Sequence, residues 1–175
     1  DKAEALVRSL KRFIAPGGLL THSYDHSIKS LYLNGIQVGE IGMEAAIAGF
    51  YGVPLIFVTG DSKGMEETEG LLGDVPTVTV KWAVNEHSAL CLPIEVTHNE
   101  IRKTAKSSVE RISEFKPYVF NPPYHIEVEF FLPEKVEKME KLAGVARIDE
   151  LTVQAQGDDL PLLWEEFIGF CQNYQ

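Results

Sequence analysis

Leu31-Tyr32-Leu33-Asn34-Gly35-Ile36-Gln37-Val38, continued by Gly39-Glu40-Ile41 and later by Pro54-Leu55-Ile56-Phe57-Val58-Thr59, decides the fold. Asn-Gly between two alternating runs predicts a tight hairpin, because both central residues of that turn need positive φ. From Glu40 to Tyr51, apolar residues at Ile41, Ala45, Ala48 and Phe50 predict a helix, and Gly52 stops it. Pro54 to Thr59 is a short apolar run of the kind found in buried parallel strands. Hairpin, helix and parallel strand in that order predict an α/β domain with a mixed β-sheet flanked by helices.

Outward from this stretch the alternation continues. Residues 2–14 place Ala3, Leu6, Leu10 and Phe13 on one face of a short amphipathic helix, and Pro16-Gly17-Gly18 breaks it. Downstream, a polar helix is expected near 63–72 with Gly73 closing it, then a strand over Thr77–Trp82. Thr97-His98-Asn99-Glu100 matches a capping box, which predicts Thr97 as N-cap of a helix to about Glu114. Tyr124–Leu132 reads as a strand, Pro133 opens a helix to Leu142, and Gly144 ends it. Arg147–Ala155 reads as one strand and Leu160–Cys171 as the closing helix, with Leu163, Phe167 and Phe170 facing inward. The domain division expected is a helix over 1–14, of unsettled continuity with the rest, and one domain over 15–175. Asn121-Pro122-Pro123 is its candidate internal seam.

The net charge of −10, from 26 acidic and 16 basic residues, argues against nucleic acid as a partner, since phosphate binding needs a basic footprint. No window reaches the roughly 18 apolar residues of a membrane span, and Asp1-Lys2-Ala3-Glu4 does not begin a signal peptide. A cytoplasmic protein is expected. Cys91 and Cys171 form no metal-binding spacing, and Cys91 in Ala89-Leu90-Cys91-Leu92 reads as a small buried core residue.

The sequence contains no GxGxxG, Walker A or GxSxG motif. His98 reads as exposed within the capping box, His125 as a packed or rim residue of a strand, and His87 as a loop residue. His22 and His26 have a His-x3-His spacing that would suit zinc on a helix, but the preceding Pro-Gly-Gly and the approaching hairpin disfavour a helix there. Glu40 follows Gly39 at a loop-to-helix transition. A carboxylate there gains from the helix dipole, and such a position would also hold a metal ligand rigidly.

Pro16-Gly17-Gly18-Leu19-Leu20-Thr21-His22-Ser23-Tyr24 resembles the M55 peptidase family, the zinc-dependent D-aminopeptidases. Tyr32-Leu33-Asn34-Gly35, Val38-Gly39-Glu40-Ile41-Gly42 and Ala48-Gly49-Phe50-Tyr51-Gly52-Val53-Pro54 follow in the same order and spacing. So do Val58-Thr59-Gly60-Asp61, Thr79-Val80-Lys81 and Ala89-Leu90-Cys91-Leu92-Pro93. The similarity covers roughly residues 15 to 173. It implies that Glu40 is a zinc ligand and His22 the catalytic histidine. It also implies a centre of two zinc ions that activates water against the N-terminal amide bond of short peptides beginning with a D-amino acid, in a ring-like homo-oligomer.

The sequence departs from the family upstream. The family's other zinc ligands are an Asp-x-Glu on its first strand and two later histidines, and residues 1–14 contain no histidine. One ligand of about five is present. The expectation is the C-terminal portion of a longer enzyme, in which Ile14 and Ala15 need not be neighbours. Two alternatives stand beside it: a partner chain supplies the remaining ligands, or the chain is a non-catalytic oligomerisation or ligand-binding domain of the same ancestry.

Overall fold

The structure is a computed structural model. It describes residues 25, 27–85 and 88–173, with only the backbone for 170–173. The helix expected over 2–14 lies outside these residues. Two sheets form. The larger has the order β2-β1-β6-β8-β7, built from β1 (Ile28–Leu33), β2 (Ile36–Gln37), β6 (Tyr124–Phe130), β7 (Val145–Arg147) and β8 (Thr152–Gly157), all antiparallel. The smaller is β3-β4-β5, from β3 (Val58–Asp61), β4 (Thr77–Asn85) and β5 (Ser88–Cys91). There β3 pairs parallel with β4 and β5 pairs antiparallel, so the smaller sheet is the mixed one. Among the described residues, five helices accompany them: α1 (Glu40–Phe50), α2 (Ser62–Leu72), α3 (Ile94–Glu110), α4 (Pro133–Met139) and α5 (Leu160–Asn173).

The larger sheet carries the core. Tyr124, Ile126, Val128 and Phe130 alternate with the more exposed His125, Glu127 and Glu129, as a strand with one buried face requires. Leu31 lies opposite Val128, Leu33 opposite Ile126, and Val153 opposite Val128 on its other side. Met43 and Ala46 of α1, Val136 and Met139 of α4, and Trp164 and Phe167 of α5 close over that face. The Trp164 and Phe167 rings stack with centroids 6.2 Å apart.

The Asn-Gly hairpin forms as read. Asn34 has φ 49° and Gly35 φ 79°, the positive-φ pair of a two-residue hairpin. Asn34 does more than turn the chain. Its N–H donates to the His125 carbonyl at 2.9 Å, its Oδ1 accepts the His125 N–H at 2.7 Å, and its Nδ2 donates to the Asn121 carbonyl at 3.0 Å. The turn is thereby docked against the start of β6, just after the cis Pro122–Pro123 bond.

Several expectations need correction. The run 54–59 is not a buried strand: strand geometry starts at Val58, where Thr77 of β4 first lies opposite, and the segment is half-buried. Thr97 is no N-cap. Helix α3 starts at Ile94 after Pro93, and the Thr97 hydroxyl donates back to the Pro93 carbonyl at 3.2 Å from inside the first turn. That helix ends at Glu110, with a separate 3-10 turn over Ile112–Glu114. Residues 147–155 make parts of two strands, because Ile148 and Asp149 turn the chain with N–H bonds to the Thr152 carbonyl. Cys91 is a free, exposed thiol at the end of β5 rather than a core residue.

On the outer face of the larger sheet, Lys29 and Ser30 both donate to the Glu129 carboxylate, Ser30 at 2.7 Å. Burial pushes the Glu129 carboxyl up. The two hydrogen bonds and the Lys29 charge together outweigh burial and hold it below its ordinary 4.5. A depressed carboxylate adds stability that is present at neutral pH and lost as pH falls through its folded value. The stability advantage of the wild type over Glu129→Gln is therefore expected to be flat above about pH 6 and to shrink below pH 4.5. Urea unfolding across pH measures it, and a pH-independent difference would contradict the pairing.

Candidate functional site

Of the residues singled out in the sequence, Glu40 lies within the described part. His22, His26 and His87 lie outside the described residues. His98 is exposed on α3 and His125 is exposed on the outer face of β6. Glu40 is therefore the centre of the candidate site.

Glu40 is the first residue of α1 and is half-buried. Gly39 is its N-cap, extended at φ −94° and ψ −163°, with no side chain to satisfy the helix's free N–H groups. A side chain from the next helix takes part of that role. The Gly39 N–H donates to Glu67 Oε1 of α2 at 3.1 Å. A carboxylate against the N-terminus of a helix also meets the positive end of its dipole.

The present position of the Glu67 carboxyl requires that position 39 carry no Cβ. A Cβ there would lie 2.9 Å from Glu67 Cδ and closer still to Oε1. One turn further, a Cβ on Gly42 would lie 2.9 Å from Leu71 Cδ1. Glu67 and Leu71 are four residues apart and so share one face of α2. They meet Gly39 and Gly42, three apart on α1. Two helices are thus brought close by paired glycines, and the carboxyl of Glu67 is carried to the base of Glu40.

The electrostatics follow from that packing. Burial pushes the Glu67 carboxyl up, the Gly39 N–H bond pulls it down, and the neighbouring Glu40 charge pushes it up again; the net direction is upward from 4.5. Glu67 Oε2 is buried with no hydrogen-bond partner among the described residues. At the other end of this region Asp61 ends β3 and caps α2, its Oδ1 accepting the Gly64 N–H at 2.9 Å.

Sequence reasoning passed over Glu67. It sits in the polar run Glu66-Glu67-Thr68-Glu69, where nothing in the spacing separates it from solvated neighbours. The signal that could have found it is indirect: a glycine, not a Ser, Thr, Asp or Asn, at the N-cap of α1 implies that a cap comes from elsewhere.

Zinc takes three or four protein donors at such centres. Among the described residues no group of three or more His, Cys, Asp or Glu could hold a metal ion. Glu40 has the donor type and the fixed backbone of a single ligand, and the described residues do not form a complete metal site.

Comparison with known proteins identifies relatives of the chain. The family model of the M55 peptidases, described as D-aminopeptidase, matches residues 12–167. A D-aminopeptidase of Bacillus subtilis (strain 168) is 30% identical over 147 residues, which are 82% of this chain and 53% of the relative. A solved structure, the Zn-dependent D-aminopeptidase DppA from Bacillus subtilis, described as a self-compartmentalizing protease, superposes with a TM-score of 0.84 at 24% identity, covering 89% of this chain and 57% of that one. The chain spans about half the length of the curated relative it matches.

Proposed function

This chain belongs to the M55 peptidase family, and from that premise we propose that it contributes part of the active centre of a zinc-dependent D-aminopeptidase. The reaction is removal of the N-terminal residue, a D-amino acid, from short peptides. The observation that carries this reading is the position of Glu40: a half-buried carboxylate on the first residue of α1, next to a Gly39 amide held by Glu67, within a stretch that the family model matches.

In this reading Glu40 is one carboxylate ligand of a two-zinc centre, and the other ligands come from outside the described residues. Bound zinc supplies Lewis acidity and a lowered pKa for water. His22 moves the proton between the attacking water and the leaving amine, which an imidazole can do near neutral pH. Glu40 is suited to its part because helix geometry fixes its Cα and its side chain is half-buried. The enzyme works in the cytoplasm as a homo-oligomer; the oligomer is supported by the description of the related DppA as self-compartmentalizing. No described helix is long and apolar enough to cross a membrane.

The test is hydrolysis of di- and tripeptides with D-alanine or L-alanine at the N-terminus by the purified protein, before and after chelation. The proposal expects cleavage of the D-peptides, loss on chelation and return with zinc. No cleavage of either series by a folded, zinc-supplemented protein would favour a non-catalytic oligomerisation or ligand-binding role instead.

A further inference from the structure

We infer that Glu67 is a positioning residue for Glu40: from α2 it clamps the Gly39 amide and so sets where the Glu40 carboxylate points. The inference rests on the reading of Glu40 as a metal ligand and adds a residue outside the matched motif Val38-Gly39-Glu40-Ile41-Gly42.

Three observations, two of them on the same contact, carry it. The hydrogen bond from Gly39 N–H to Glu67 Oε1, at 3.1 Å, is made to the residue immediately before Glu40. The contact is close enough that a Cβ at position 39 would displace the Glu67 carboxyl group from its present place. The helix that carries Glu67 is itself fixed: Leu71 fills the space over Gly42, Met65 and Thr68 are buried, and the Thr68 hydroxyl donates to the Gly64 carbonyl at 2.8 Å. Desolvation opposes a carboxylate in this junction, and the Gly39 N–H bond and the helix dipole offset part of that cost. What the arrangement does secure is the backbone direction at the start of α1. Outer partners that orient a ligand typically change metal affinity by about 10–100-fold when removed.

The experiment compares zinc affinity, by competition titration with a chromophoric chelator, in the intact protein and in Glu67→Ala, Glu67→Gln and Glu40→Ala. Amide hydrogen exchange at Gly39 is read in the same proteins. Glu67→Ala is expected to weaken zinc binding by about tenfold and to unprotect the Gly39 amide. Glu67→Gln keeps an acceptor oxygen at the same place and is expected to restore most of both, while a residue that only stabilises the fold would leave zinc affinity unchanged in every folded variant. Wild-type affinity and wild-type Gly39 protection in Glu67→Ala, with affinity lost in Glu40→Ala, would overturn the inference and leave the reading of Glu40 standing. Unchanged affinity in Glu40→Ala would overturn that reading instead, and with it the role given to Glu67. Should Glu67→Ala not fold, Glu67→Met, of similar length but with no carboxylate acceptor, makes the same comparison.

Discussion

Gly49→Ala is expected to lower the thermal unfolding midpoint by roughly 6–12 °C, which corresponds to about 3 kcal/mol in a chain of this length. Gly49 lies near the end of α1, where that helix crosses the segment leading to β6. A Cβ at this position would sit 2.7 Å from the Tyr118 carbonyl carbon and 3.2 Å from its N, and closer still to its O. Those are backbone atoms, so no rotamer change relieves the clash; either α1 or the 118 segment must move. Movement is costly because both are anchored. Ala45 and Ala46 on α1 are buried, and Tyr118 packs edge-on to Phe120 with centroids 5.0 Å apart. Gly70→Ala on α2 is the matched control. It meets nothing within 4 Å, and alanine gains up to about 1 kcal/mol over glycine in a helix, so its midpoint should hold or rise. Calorimetry of the two variants decides it. Equal behaviour would mean that α1 does not press against the Tyr118 backbone.

His22→Ala is expected to reduce kcat for D-peptide hydrolysis by about 10²–10⁴, the usual contribution of a positioned acid–base group. The prediction rests on the family resemblance around Thr21-His22-Ser23, since His22 lies outside the described residues. What the structure adds is the anchor downstream. Asp25 is 3% exposed, accepts the Ser27 N–H at 2.7 Å and pairs with Lys135 of α4 at 3.2 Å. The chain therefore enters β1 from a fixed point three residues after His22. A loss confined to kcat, with KM and fold intact, fits a proton-transfer role. Retained activity would remove His22 from the mechanism.

The parts of the fold legible in the sequence were those settled locally. Asn34-Gly35 needs no partner to turn, Pro133 preorganises the first turn of α4, and Gly73 stops α2 at positive φ; α4 itself ends at Met139, short of the expected Leu142 and before Gly144 is reached. What was misread depended on partners distant in sequence. Pro54 to Phe57 has strand-like composition, but β4 first lies opposite at Thr77. Thr97 has the residue type of a cap, yet Pro93 opens α3 one turn earlier. The apolar content of 147–155 hides a turn that only pairing between β7 and β8 reveals. The separation of two sheets, one wholly antiparallel, is likewise a property of pairing and not of any segment.

The site divides in the same way. Glu40 became a candidate through an ordered series of motifs, and its residues alone gave it an ordinary helix-terminal role. Glu67 had no such series around it. Its place follows from Gly39 and Gly42 lying against Glu67 and Leu71, an interhelical match written 25 or more residues apart in the chain.

The most direct test of the central claim is the zinc content of the intact purified protein, measured by elemental analysis alongside Glu40→Ala and His22→Ala after equal exposure to zinc and dialysis. Stoichiometric zinc in the wild type and in His22→Ala, with a clear loss in Glu40→Ala, is the predicted result. Wild-type zinc in Glu40→Ala, or none in the wild type, would contradict it.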